Sequence, residues 1–250
     1  MKTIDKALSL LDYFSSEAKE WRLSDLARAA GMDKVTAMRC LNSMAAKGFV
    51  EQHPETRKYR LGTAFLHFAR IRESSFPVAA VLQPILESLC EETGETTHAC
   101  LFSGLAMSTI AIAEPNRSTR VYVDPAQPLP VHAAASGLAY LSKKPEAFQR
   151  ATVERAGMVR LTEHTPGDVE EFLARLRLTA ERGFAIADRT HEDDVTGIAA
   201  PIIGWQGDVM GTLAAACVSS RLDESEIKRI SSAVMEAARK ASQSMGGALG

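Results

Sequence analysis

Apolar positions fall at helical spacing twice between residues 24 and 44, with a short break between the two runs. Leu26, Ala27 and Ala30 form one inward stripe, and Val35, Met38, Leu41 and Met44 form a second. Ser24 is the expected N-cap of the first helix, Gly31 its stop, and Asp33 the cap that restarts the chain. On this phasing Lys34, Thr36, Ala37, Arg39, Cys40 and Ser43 face outward. After Gly48 the period drops to two. Phe49-Val50, the turn His53-Pro54-Glu55-Thr56 and the run Arg57-Lys58-Tyr59-Arg60-Leu61 predict a hairpin with a basic return strand. Upstream, Thr3 is the expected cap of a helix whose apolar face is Ile4, Ala7, Leu8, Leu11 and Phe14. Two helices joined by a tight glycine-bearing turn, followed by a basic hairpin, have the order of a winged helix-turn-helix that holds DNA. The candidate DNA contacts are Ser24, Lys34, Thr36, Ala37, Arg39, Cys40 and Ser43, with Arg57 and Lys58 on the wing. An ordinary helical pair with solvated charges is the competing interpretation; cap, turn, glycine and wing in that order argue against it.

Residues 63–72 predict a linker helix whose Phe65, Phe68 and Ile71 need a cover, either a symmetry mate or the second domain. Beyond it, Val78 to Cys90 is amphipathic, with Val81, Leu82, Ile85, Leu86 and Leu89 inward. Strands follow at Thr97 to Phe102 and Met107 to Ala113, with a third expected near Arg120 to Val123. The run from His132 through Ser136 opens a helix at about Ala135, and Val169 to Arg182 predicts another, stopped at Gly183. Gly197 to Ile203 and Val209 to Val218 form a hairpin around residues 204–207, and Asp223 begins a final helix with capping-box spacing. The expected organisation is a winged helix-turn-helix over 1–62, a linker helix over 63–76 and a third segment over 77–250. The fold class is α+β, with an antiparallel C-terminal sheet flanked by helices.

Charge supports this division. The chain is nearly neutral at net -2 over 250 residues, yet residues 1–62 carry 11 Lys and Arg against 8 Asp and Glu, leaving net -5 for the remainder. The basic excess sits with the reading helix and wing, and the acidic remainder confines DNA to one end. Cys40, Cys90, Cys100 and Cys217 are scattered without metal-like or disulfide-like pairing, and are expected to be reduced core residues, with Cys40 at the DNA face. With neither a secretory signal nor a membrane span in the pattern, a cytoplasmic location is expected. His132, Ser136 and Asp188 could be mistaken for a hydrolase triad, but Ser136 sits in AASGL and not in a G-x-S-x-G elbow. The six histidines show no metal-binding spacing; His98 and His191 are the two worth testing. No cofactor is expected, and a ligand-free architectural DNA protein is a further alternative.

The N-terminal TIDKALSLLDYF, the segment LSDLARAAGMDKVTAMRCLNSMAAKGFVE and YRLG together resemble the winged-helix domain of the IclR family of transcriptional regulators. ESLCEETGE, LPVHAAASGLAYL, ERGFAIADRTHED and IAAPIIGWQGDVMGTLA resemble its effector-binding domain in the same order. The resemblance implies a GAF-like or profilin-like C-terminal domain, a homodimer or dimer of dimers, a double-stranded operator, and a small organic or aromatic carboxylate as effector. Backbone N–H groups near Ala135 and Ser136 suit such a carboxylate. Asp188, His191, Val195, Gly197, Ala214 and Ala216 resemble the remaining walls. Ala187 and Thr190 stand where the family usually has an acidic residue, Gly197 where it often has cysteine or a small polar residue, and alanines where it often has serines. These departures imply a roomier, less polar pocket for a larger, partly apolar acid.

Overall fold

The first helix is shorter than its apolar pattern suggests. In the computed structural model, which describes residues 3–75 and 77–246, α1 (Thr3–Ser9) gives way to a 3-10 turn at Leu11–Tyr13, and Thr3 already lies inside the helix. Ile4 and Leu8 are 73% and 57% exposed, while Leu10, between helix and turn, is fully buried. Ala7, Leu11 and Phe14 pack at the edge of the same core.

Ser24 does not cap α2 (Leu23–Ala29). Arg22 holds that position with extended backbone and no side-chain cap, and Ser24 donates to Asp25 instead. The cause lies upstream: Trp21 exchanges backbone hydrogen bonds with Tyr59 at 2.9 and 2.7 Å, so the chain enters the helix straight from a strand-like bridge. Asp33 does cap α3 (Lys34–Ala45), accepting from the Thr36 N–H at 2.8 Å, and the hydrogen bonds from Thr36 hold its carboxyl below the usual value. The wing is β1 (Val50–Gln52) against β2 (Tyr59–Leu61), with Trp21 as a third, one-residue rung. Next comes α4 (Ala64–Ser75). Phe49 covers part of its apolar side, with ring centroids 5.3 Å from Phe65 and 5.7 Å from Phe68.

The chain divides into two units, Met1–Pro77 and Val78–Gly250, so α4 falls with the first. The second is built on six strands in the order β5-β4-β3-β8-β7-β6, every neighbouring pair antiparallel. They are β3 (Thr96–Ser103), β4 (Ala106–Ala113), β5 (Leu129–Pro130), β6 (Ala185–Asp188), β7 (Val195–Ile203) and β8 (Val209–Val218). Strand alternation sorts their side chains onto two faces. Ala99, Ala111, Ile198, Ala200, Leu213 and Ala215 pack with α5 (Val78–Thr93) and α9 (Glu224–Ser244). Cys100, Ala185, Ala187, Ala199 and Ala214 pack with α6 (Ala135–Leu141) and α8 (Val169–Arg182). Between those helices runs α7 (Glu146–Ala156), and Asp223 caps α9 through the Glu226 N–H at 2.9 Å.

The expected strand near Arg120 to Val123 is not formed. Val121 and Val123 are buried in alternation with an exposed Tyr122, but the Val121 carbonyl accepts from the Thr96 hydroxyl at 2.7 Å and the Thr119 carbonyl from Arg221. Side chains thus take the backbone partners a ladder would have used. The edge strand is the two-residue β5, with Leu129 opposite Met107. Among the described residues no helix is long and apolar enough to cross a membrane.

Candidate functional site

The exposed edge of α3 is rotated from the sequence expectation. Ala37, Cys40, Leu41 and Met44 are buried, an i, i+3, i+4, i+7 set, whereas Val35 and Met38 are 62% and 39% exposed. Ala37 and Cys40 therefore cannot reach DNA, and Cys40 belongs to the core. Lys34, Arg39 and Ser43 are exposed as expected and Thr36 is half-buried. Val35, Met38 and Asn42, absent from the expected set, share this outer surface. Ser24 is exposed at the start of α2.

On the wing, Arg57 is exposed at the hairpin tip with φ of 58°, a left-handed backbone uncommon for a side chain of its size. Lys58 lies 3.9 Å from Glu20 and Arg60 3.1 Å from Glu51, so Arg57 is the wing cation least engaged by acidic neighbours. Arg57→Ala is expected to weaken binding to all duplexes alike and to lower the slope of log affinity against log salt by about one unit, as loss of one phosphate contact requires. Anisotropy titrations at four salt concentrations would measure this, and an unchanged slope would remove the wing from the interface.

In the second unit, most of the expected effector residues meet on the α6 face of the sheet. Gly197 of β7 is paired with Ala187 of β6 and Ala216 of β8, and Ala199 with Ala214. A Cβ at Gly197 would stand 3.0 Å from that of Ala135, so the missing side chain serves a close approach of α6 to β7. The expected roominess at this point is taken up by that packing. Val195 packs with Val121, Val123 and Ala216. Asp188 is not part of the group: it follows Ala187 by one residue and points to the opposite face. There it accepts from Thr196 at 2.7 Å, pairs with Arg189, and borders an outer groove with Arg175, Arg182 and Ile186. Burial raises its pKa, but these hydrogen bonds outweigh it and leave the carboxyl below its usual value. His191 lies in the loop after β6, its ring 3.5 Å from the Glu192 carboxylate; burial lowers its pKa, Glu192 opposes this, and His132 adds to the lowering. Thr190 fastens that loop to the turn before α6 by donating to the Ala133 carbonyl at 2.5 Å.

α6 has only seven residues, with Ala134 as an N-cap that makes no side-chain hydrogen bond, and Gly137 and Leu138 make the first backbone bonds, both to Ala134. The N–H groups of Ala135 and Ser136 precede those bonds, as at any helix start. Ser136 itself is 1% exposed, and its hydroxyl faces His98 Nε2 at 3.5 Å. His98, singled out in the sequence only as a histidine to test for metal and absent from the expected effector set, is set on β3 between Ile112 and Ala214. Burial holds its imidazole neutral, with the pKa down at about 4, and its Nδ1 has no partner among the described residues. The lookalike triad does not assemble: His132 Nε2 bonds the Val159 carbonyl, Ser136 faces His98, and Asp188 lies across the sheet.

Both halves of the chain match models of one family. Residues 3–54 match the IclR helix-turn-helix domain, and residues 73–243 match the C-terminal region of the bacterial transcriptional regulator IclR. The chain belongs to the IclR family of bacterial transcriptional regulators. It is similar to the crystal structure of a chain assigned to the IclR regulators from Silicibacter sp. TM1040, at 34% identity and a TM-score of 0.91, over 100% of this chain and 98% of that one. It is 26% identical to the HTH-type transcriptional regulator XynR of Escherichia coli K12, covering 98% of both chains. An IclR homologue from Microbacterium hydrocarbonoxydans, crystallised with 4-hydroxybenzoate, shares the fold at 22% identity and a TM-score of 0.78, with 98% of both chains covered.

Proposed function

We propose that this regulator acts in the cytoplasm as a homodimer or dimer of dimers, grips a two-fold operator with α3 and the wing, and changes its grip when a small carboxylic acid occupies the α6 face of its C-terminal sheet. The observation that carries the DNA half is the exposed edge of α3, where Lys34, Arg39, Asn42 and Ser43 stand over the buried stripe of Ala37, Cys40, Leu41 and Met44. α4 supports a two-fold partner, since Leu66, Phe68 and Ile71 remain 62%, 53% and 48% exposed after Phe49 has covered part of the helix. Support for the effector half comes from alanines and Gly197 grouped with Ser136 and His98 on one sheet face. An apolar lining with a few polar groups suits an aromatic or partly apolar acid, and 4-hydroxybenzoate in the Microbacterium homologue belongs to that class. This is a binding function, with neither a catalytic step nor a cofactor.

Arg39→Ala tests the DNA half. A bidentate contact to guanine is worth about 1–3 kcal/mol of discrimination, so the variant should lose affinity for a duplex selected by the protein from a random pool while its affinity for unselected DNA changes little. Equal loss on both would make Arg39 a phosphate contact.

A further inference from the structure

Resting on the effector site just described, we propose that His98 is its polar anchor, and that an acid binds there together with one proton shared between its carboxylate and the His98 ring. His98 is 6% exposed and sits on the face of β3 that looks toward α6. Its Nδ1 has no hydrogen-bond partner among the described residues, and Nε2 meets Ser136 Oγ only at 3.5 Å, the long limit of such a bond. Two residues along β8 from Ala214, the buried hydroxyl of Thr212 on the same face also has no partner among the described residues. Buried polar groups are rarely left unsatisfied, and two on one face call for a group that completes them. Small residues pack on this face beside them, Ala135, Gly197, Ala199, Ala214 and Ala216, within a core that also holds Leu138 and Phe172.

The residues paired with or facing the ring are uncharged. α6 brings Ser136 and, one turn on, Tyr140, whose hydroxyl is pushed up by burial; β8 and β4 bring Ala214 and Ile112. On its own strand the ionisable neighbour is Cys100, pushed up to about 11 by burial, and the segment before β5 adds the exposed Tyr122 and the half-buried Asp124. Glu87 and Glu91 belong to α5, which packs on the opposite face of the sheet. Burial alone sets the protonation of His98.

A carboxylate brought beside a neutral, buried imidazole cannot keep its charge uncompensated in such a lining. The complex retains one proton, either as a carboxylic acid bonded to the imidazole or as a carboxylate–imidazolium pair. The count is the same in both. At pH 7 the free ring is neutral and the free acid ionised, so binding draws one proton from the buffer, and Kd weakens about tenfold for each pH unit of increase in this range. Affinity is greatest on the acid side and fades as pH rises.

The test uses the full chain with 4-hydroxybenzoate, benzoate and pyruvate. Thermal shift at pH 6 finds which acid binds; calorimetry at pH 7 in phosphate and in Tris, buffers of different ionisation enthalpy, then counts the protons taken up. The expected result is one proton, a roughly tenfold weaker Kd at pH 7 than at pH 6, and uptake abolished in His98→Asn. Binding without uptake, or uptake that persists in His98→Asn, overturns the proton link and leaves the effector site standing. Should His98→Asn fail to fold, the imidazole nitrogen resonances of 15N-histidine-labelled wild type decide: on adding the acid, the His98 signals must shift, and unmoved signals overturn the assignment. If none of the three acids binds, the carboxylate reading itself is overturned and the proton link falls with it.

Discussion

Leu41→Ala is expected to destabilise the first unit by about 2–5 kcal/mol and with it to abolish operator binding. Leu41 is fully buried in a small core with Leu10, Leu26, Cys40, Met44, Val50 and Tyr59, so its truncation removes apolar contact and leaves a cavity under α3. A domain held by only about 5–15 kcal/mol loses a large part of its margin to such a change. Denaturant unfolding followed on the first unit, beside an anisotropy titration, would measure both effects, and a DNA affinity within twofold of wild type would contradict them. Val35→Ala is the contrast. With Val35 62% exposed, its truncation should shift stability by no more than about 0.5 kcal/mol. A large loss there would restore the helix phase that the sequence alone suggested.

The second large effect is expected at Ser136→Asp. The position is 1% exposed and faces His98, so the new carboxylate stands where water cannot reach it and must take the imidazole as its partner. The substitution places a carboxyl on the proposed anchor, where it shares the proton with the His98 ring and takes the place of the incoming acid. A variant shown by circular dichroism to be folded should bind operator with near-normal affinity and no longer answer to the acid, because the ligand's differential affinity for the two states is gone. A normal response would remove Ser136 from the site; a packing role alone predicts only altered stability.

The order of elements was legible because caps, periods and turn residues are local signals, and Asp33, Asp223 and the hairpin residues act where their spacing places them. The phase of α3 was not. Val35 and Met38 outweigh Ala37 and Cys40 in apolar bulk, but close helix packing against α2 selects the small residues, and that selection depends on the neighbouring helix. Ser24 lost its capping role to a bridge between Trp21 and Tyr59, residues 38 positions apart in the chain. Val121 and Val123 alternate like a strand, yet a threonine hydroxyl on β3 claims the backbone between them and the sheet. Asp188 could have been excluded from the sequence, since Ala187 and Asp188 must face opposite sides of any strand containing both. The sequence singles out His98 only among histidines to test for metal; its place in this group follows from the register of β3 against β4 and β8 and from the seating of α6, none of which its neighbours in sequence reveal.

The central claim, that an acid on the C-terminal sheet changes the hold of α3 and the wing on DNA, is tested most directly by fluorescence anisotropy of a self-selected duplex titrated with the full chain, with and without 4-hydroxybenzoate, benzoate or pyruvate at saturating concentration. The account predicts that at least one of these acids shifts the operator Kd by about fivefold or more, the lower end of typical allosteric coupling. Superimposable isotherms in the presence of an acid independently shown to bind the C-terminal unit would contradict it.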